Sequence, residues 1–381
     1  MSNSQMKMRG FTLLEMLVSM AIGLIVIAGA VQLYSQAVKA TFTTSQKAEL
    51  QQDFRSAGNL MARDISLAGA GALGQMGLAA GAIGLPAGTG TLSVYPCSST
   101  ACTYVNGTAA AYPTLTGGPT APFLYSIIPG PSLGITINAL QGPTDILTVA
   151  YTDANLALNC YNVTVTTVGS TSTATFTLPS PLAATCILPT GVVTPPSLLD
   201  PVVGLQKGDI IMFGTLAVGC VSTVAAGGAP NTFIVTFTTG DPGHINQPTA
   251  ASGSLKQLPA GTTTATRLLV ITYYLDISPM DGVTPRLMRL QSGRVPSPVA
   301  ENVAYLKFTY DVYNNGTVLA NQATLPAGSN PSMITKINIA HMTMRSQLQG
   351  TGGYQGLDLQ TSISARNITF GQEYPISGTA Y

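Results

Sequence analysis

Glu15 is the one ionisable side chain in residues 11–31, FTLLEMLVSMAIGLIVIAGAV, and it sits four residues into that apolar run. An acid at the centre of a membrane helix costs about 2.5 to 3.5 kcal/mol, and less near the end. Two outlets are open to it. The carboxylate can snorkel to the cytoplasmic headgroups, or it can meet a positive partner supplied by another chain. Five cysteines, at 97, 102, 160, 186 and 220, offer a second chemistry, since all follow the apolar run and would lie in an oxidising compartment if that run spans a membrane. Cys97 and Cys102 could close a local loop, and Cys160 and Cys186 flank a predicted hairpin. Four cysteines already allow three connectivities, and the odd one, for which Cys220 is the candidate, is left as a buried thiol.

Other motifs look like chemistry but lack its setting. Residues 69–74, GAGALG, match G-x-G-x-x-G, yet they follow a helical pattern instead of a strand and read as a helix terminator. Residues 130–134, GPSLG, match the G-x-S-x-G of hydrolases, but Pro129 and Pro131 flank Gly130 where a strand must pass through a strained turn into a helix. His244 and His341 lie far apart without a carboxylate cluster, and no C-x-x-C occurs, so no metal site is expected. No phosphate-binding loop and no cofactor motif is present. The N-x-S/T sequons at Asn106, Asn162, Asn315 and Asn367 read as unmodified polar residues of a Thr-rich chain.

The composition agrees with this scarcity. Charged residues make up 8% of the 381, against about a quarter in an ordinary soluble domain, which points away from a typical cytosolic enzyme. A formal net charge of +1 leaves no basic surface for phosphate backbones, so nucleic-acid binding by bulk charge is not expected. Charge is also uneven, with ten charged side chains in residues 1–70, seven in 71–260 and fourteen in 261–381. The neutral middle holds eighteen of the twenty-five prolines and many β-branched residues, and it reads as short strands joined by long loops.

The elements that position Glu15 follow from hydropathy. Residues 1–10 are polar and carry Lys7 and Arg9; residues 11–31 are long enough to cross roughly 30 Å of hydrocarbon as a helix. The positive-inside tendency keeps the two basic residues cytoplasmic and sends everything after residue 32 across the membrane. Residues 32–67 continue at helical spacing, with Val38, Phe42, Leu50, Phe54, Leu60, Met61 and Ile65 as the apolar stripe. Lys39, Lys47, Glu49, Asp53, Arg55, Arg63 and Asp64 occupy the complementary, polar positions. One helix of about 80 Å is expected, half membrane span and half amphipathic stalk, ending where eight glycines fall between residues 69 and 90.

Beyond residue 90 short alternating segments predict strands at 145–152, 162–168, 172–178, 209–213, 232–238, 267–275, 304–313, 334–344 and 358–370. Several alternate Thr or charged residues with Ile, Val, Leu or Tyr, as an antiparallel sheet with one buried face requires. The predicted class is α+β, the helix stripe packing on an antiparallel sheet with long loops.

Gly10 to Glu15, G-F-T-L-L-E, resembles a type IV prepilin signal, and the chain resembles minor pilins of the PilW family, related to the J-type pseudopilins of type II secretion. The more distributed matches are MARDISLAGA at 61–70, TDILTVAY at 144–151, KGDIIMF at 207–213, AENVAYLKFTYD at 300–311, ITKINIAHMTMR at 334–345 and the late TSISARN; residues 85–140 and 180–200 match nothing in that family. The resemblance implies that prepilin peptidase cuts between Gly10 and Phe11, that the new Phe11 amine is methylated, and that Glu15 neutralises a Phe11 amine as subunits pack. It implies a cleaved leader at 1–10, a transmembrane helix at 11–31, an amphipathic extension at 32–67 and a β-rich pilin-like headpiece at 68–381. It also implies a non-enzymatic inner-membrane subunit that primes pilus assembly and moves to the cell surface. Its partners would be other minor pilins, the major pilin, prepilin peptidase and the inner-membrane assembly platform.

Rival readings carry distinct signatures. A secretory signal would use Ala28-Gly29-Ala30, but Glu15 interrupts its apolar core, and a plain membrane anchor needs no Gly10 motif. A type II secretion pseudopilin of the J type would be shorter. A pilin-anchored adhesin would use the unmatched inserts, and an exported hydrolase would use Ser132.

Overall fold

The computed structural model describes residues 12–71, 82–84, 123–153, 155–168, 171–183, 186–188, 191–214, 217–238, 241, 246, 260–277, 284–292, 294–314, 316–329, 331–346 and 355–368. The chain divides into two compact units, Met1–Gln52 with Ser346–Gln355, and Asp53–Arg345 with Gly356–Tyr381.

The one long helix among the described residues, α1 (Leu13–Leu67), has 55 residues and no interior proline. Its N-terminal part is long and apolar enough to cross a membrane, and its large side chains, Leu14, Ile25 and Leu33 among them, stand exposed. The expected apolar stripe is only partly used. Val38 and Phe42 are exposed, whereas Phe54, Met61 and Ile65 are buried, and the buried row is completed by Ala57, Ala68 and, against expectation, Asp64. Positions 54, 57, 61, 64 and 68 recur at three and four residues, the spacing of one helix face, so Asp64 is carried inward by its neighbours' geometry. The helix ends as the glycines dictate. Gly69 and Gly71 have φ of +77° and +72°, and a Cβ on Gly71 would collide with the Thr152 side chain. Asn367 Nδ2 donates to the carbonyls of Ser66 and Ala68 at 3.2 Å, satisfying acceptors that the last turn leaves open.

The strands in chain order are β1 (Ala82–Gly84), β2 (Phe123–Tyr125), β3 (Ile127–Gly130), β4 (Ile146–Thr152), β5 (Asn162–Val168) and β6 (Thr171–Thr177). Next come β7 (Ile210–Phe213), β8 (Ala217–Cys220), β9 (Thr223–Ala226), β10 (Thr232–Thr238), β11 (Gly261–Thr263) and β12 (Ala265–Asp276). The last are β13 (Arg286–Gln291), β14 (Ser297–Glu301), β15 (Val303–Asn314), β16 (Thr317–Gln322), β17 (Ile334–Ser346) and β18 (Gln355–Ser364). Together with α1 they make the α+β architecture that the residue pattern predicts.

A central sheet runs β14-β13-β12-β4-β3, with β7 paired to β12 and β8 to β7. Its hub is β12, which pairs antiparallel with β4, β7 and β13 and is buried along most of its length. That explains why its sequence, ATRLLVITYYLD, is nearly continuously apolar where a half-exposed strand would alternate. Between β4 and β12 a second sheet forms, in the order β11-β5-β6-β10-β9. Here alternation is strict: Val163, Val165, Ala174, Phe176, Val235 and Phe237 face a core, while Thr171, Thr173, Thr175 and Thr177 of β6 face outward. Phe213 and Phe237 meet edge to face at 5.5 Å in that core. A third sheet runs β16-β15-β17-β18.

Candidate functional site

The first turn of α1 is built by its own sequence. Thr12 precedes the helix, and Glu15 follows it by three, which is the capping-box spacing. Glu15 Oε2 accepts the Thr12 backbone N–H at 3.0 Å and the Thr12 hydroxyl at 3.1 Å, and Thr12 Oγ1 accepts the Glu15 N–H at 3.3 Å. Ser19 donates its hydroxyl to the Glu15 carbonyl at 2.7 Å. The carboxylate also lies where the helix dipole favours negative charge. Among the described residues nothing takes up Oε1, so one oxygen anchors the turn and the other remains an acceptor for a group from outside. Sequence reasoning treated Glu15 as an acid awaiting a distant partner and missed the nearer one, although T-x-x-E was there to be read. Gly10, Phe11, Cys97 and Cys102 lie outside the described residues. Cys160 is bonded to Cys186 with the Cα atoms 4.2 Å apart, beside the core of the five-stranded sheet. Cys220 is buried, its backbone N–H donating to Asn246 Oδ1 at 2.9 Å.

Residues 5–31 match the family model described as "Prokaryotic N-terminal methylation motif". That match supports a type IV pilin-like protein. Comparison with curated proteins found no match, and comparison with solved structures found none either. The motif suggests a type IV pilin or pseudopilin processed by prepilin peptidase, and the apolar helix is consistent with membrane anchoring.

A second carboxylate on the same helix, Asp64, takes a position that the sequence pattern places off the apolar stripe, and it is buried. Asp64 Oδ1 accepts the Tyr151 hydroxyl at 3.0 Å; Oδ2 accepts the Tyr273 hydroxyl at 2.7 Å and Arg289 Nε at 2.8 Å. Strands β4, β12 and β13 thus converge on one side chain of α1. Burial pushes both phenols well above their ordinary range, and the Asp64 charge adds to it. For Arg289 burial opposes the charge, yet the hydrogen bond and attraction to Asp64 outweigh it and raise the guanidinium. A further buried cluster joins Arg267 to Asp153 through a 2.9 Å hydrogen bond from Nε, and to the Gly204 carbonyl at 2.9 Å. Burial pushes the nearby Asp209 carboxyl up, against the pull of the Gln206 N–H and of Arg294 and Arg267. These groups are tied to one another and frame the sheet.

The G-x-S-x-G segment is likewise structural. Ser132 has φ of +55°, and its backbone N–H donates to Asp145 Oδ1 at 2.6 Å. Lys307 Nζ donates to Ser132 Oγ at 3.0 Å and to Asp145 Oδ1 at 2.7 Å, while the Phe308 N–H donates to Oδ2 at 2.9 Å. An ammonium held by a carboxylate donates to the hydroxyl and cannot take its proton, so the cluster pins the β3–β4 connection to β15. No helix follows Ser132, which removes the strand-to-helix turn a nucleophile elbow needs.

Proposed function

We propose that this chain is a minor pilin that takes part in the initiation and assembly of type IV pili, tip capping included, and so supports pilus-dependent motility, adhesion or DNA uptake. The PilW resemblance supports the specific role. In this reading residues 1–10 are a leader removed by prepilin peptidase between Gly10 and Phe11, and Phe11 is then N-methylated. Residues 11–31 hold the subunit in the bacterial inner membrane, residues 32–67 extend the helix, and residues 68–381 form the periplasmic headpiece until the subunit enters the pilus. Its partners are the major pilin, other minor pilins and the inner-membrane assembly platform.

The observation that carries the reading is Glu15, fixed by Thr12 within the matched motif and open at Oε1. In a dry bundle of apolar helices a carboxylate and an amine are each costly alone and far less so together. Pairing Glu15 with the Phe11 amine of a neighbour therefore selects one axial register. The test is the intact mass and N-terminal residue of the membrane-extracted protein, for the native chain and for Glu15→Ala. A native chain beginning with N-methyl-Phe11, and a variant still cleaved but absent from filaments, is the expected result. A mature chain beginning at Val31 or at Met1 would overturn the reading, as would normal filament incorporation of Glu15→Ala. Co-purification with pseudopilins in place of pilins would move the chain to a type II secretion system.

A further inference from the structure

The outer face of the four-stranded sheet holds a groove of about 490 Å³, within the range of ligand pockets. Irregular pairing hollows it out. Opposite the single residue Asp311 of β15, strand β16 places both Ala320 and Asn321, and opposite the Lys307–Phe308 step β17 inserts Ala340. Such bulges bend a strand and sharpen its twist, which turns a flat face concave. Asn321 takes a φ of +54° there, a conformation asparagine tolerates better than most residues.

Among the described residues the lining is uncharged and mixed: the apolar Ile339 and Ala340 beside Thr309, Asn321, Asn338, Gln360, Thr361 and Ser362. Asn338, 8% exposed, is the fixed floor. Its Nδ2 donates to Asp311 Oδ1 at 2.9 Å and to Asn321 Oδ1 at 3.2 Å, and its Oδ1 accepts the Ser362 hydroxyl. Asp311 Oδ1 also accepts the Asn321 N–H at 2.9 Å, so that carboxylate oxygen is turned to internal donors. Around this floor the side chains of Thr309 and Gln360 have no hydrogen-bond partner among the described residues, and both residues line the groove. The floor is preorganised and the rim is unspent.

We propose that this groove binds a neutral, polyhydroxylated ligand, an oligosaccharide segment. Hydroxyl and primary-amide side chains each donate and accept, as every sugar hydroxyl does, so a cluster of them matches a sugar without using charge. Among the described residues the lining carries no ionisable side chain, which disfavours anionic and cationic ligands. The groove lies on a sheet face, whereas an extended peptide adds its main chain at a sheet edge. Rigid placement of Asn338 and Asn321 before binding lowers the ordering cost that weakens most shallow sites.

The test uses the full chain in detergent micelles, with maltotetraose and chitotetraose as probes, read by saturation-transfer NMR and by titration. Binding of either saccharide is the expected result, with affinity reduced about tenfold or more, roughly 1.4 kcal/mol, in both Thr309→Lys and Gln360→Lys. Thr175→Lys, on the outward face of β6, is the control and leaves binding unchanged. Gln360 is exposed, so its variant keeps the test informative if Thr309→Lys fails to fold. No binding of either probe at about 10 mM, where even a very weak complex would register, would overturn the proposal. Unchanged binding in Gln360→Lys would do so too. Filament assembly does not enter this readout, so the groove and the pilin reading stand or fall separately.

Discussion

Glu15 and Asp64 are two carboxylates on one helix, and their surroundings could hardly differ more. Glu15 stands exposed in the first turn and is held by the residue three places before it. Asp64 is 1% exposed and is held by Tyr151, Tyr273 and Arg289, which lie 87, 209 and 225 residues away. The first arrangement is local and leaves Oε1 open among the described residues, as the proposed pairing with a neighbouring amine requires. The second closes every acceptor with donors from three strands, as a structural joint requires. The same functional group is thus partly engaged at one end and engaged through both oxygens at the other, and the difference lies in how many distant residues must fold to satisfy it.

Stability measurements on variants would break or sharpen that contrast. The largest effect is expected for Asp64→Ala, which strands Arg289 and two phenols without their acceptor and should lower unfolding free energy by about 3 to 5 kcal/mol in denaturant titration. If Glu15→Ala destabilises the chain as much, the contrast fails. Next is an alkaline effect. Folding raises the Tyr273 phenol above its ordinary value of 10.0, so above about pH 10 the unfolded chain releases a proton that the folded one keeps. Stability should therefore fall as pH rises past about 10, and Tyr273→Phe should make that fall shallower while starting from a less stable protein. The smallest effect is expected for Thr12→Ala, a lost cap worth about 0.5 to 2 kcal/mol of helix stability, read as fraying of the first turn by amide hydrogen exchange. Protection unchanged in Thr12→Ala would mean that Glu15 is oriented by something other than the cap.

Much of the frame was legible before any coordinates. The helix from residue 13 to 67, its stop at the glycines and the strands β4, β5 and β10 follow from period and composition, since each depends on residues close in sequence. The short β7 was expected as well, but β3, β13 and β14 were not. Segment RLMRLQ of β13 alternates charge with apolar residues in a way a helix also shows, β14 contains Pro298, and β3 contains Pro129. Each becomes a strand because a neighbour offers it a ladder. Asp64 failed as a surface residue for the same reason: a charge on an amphipathic helix goes to solvent by default, and only three partners folded around it reverse that default.

By itself the sequence determined the apolar span, the capping of its first turn and the terminating glycines, because these are set by interactions within a few residues. The tertiary structure alone decided that Asp64 is a joint, that Ser132 is tied down by Asp145 and Lys307, and that bulges hollow a neutral groove around Asn338. Those outcomes depend on strand register, and register brings together residues whose separation along the chain carries no signal of their meeting.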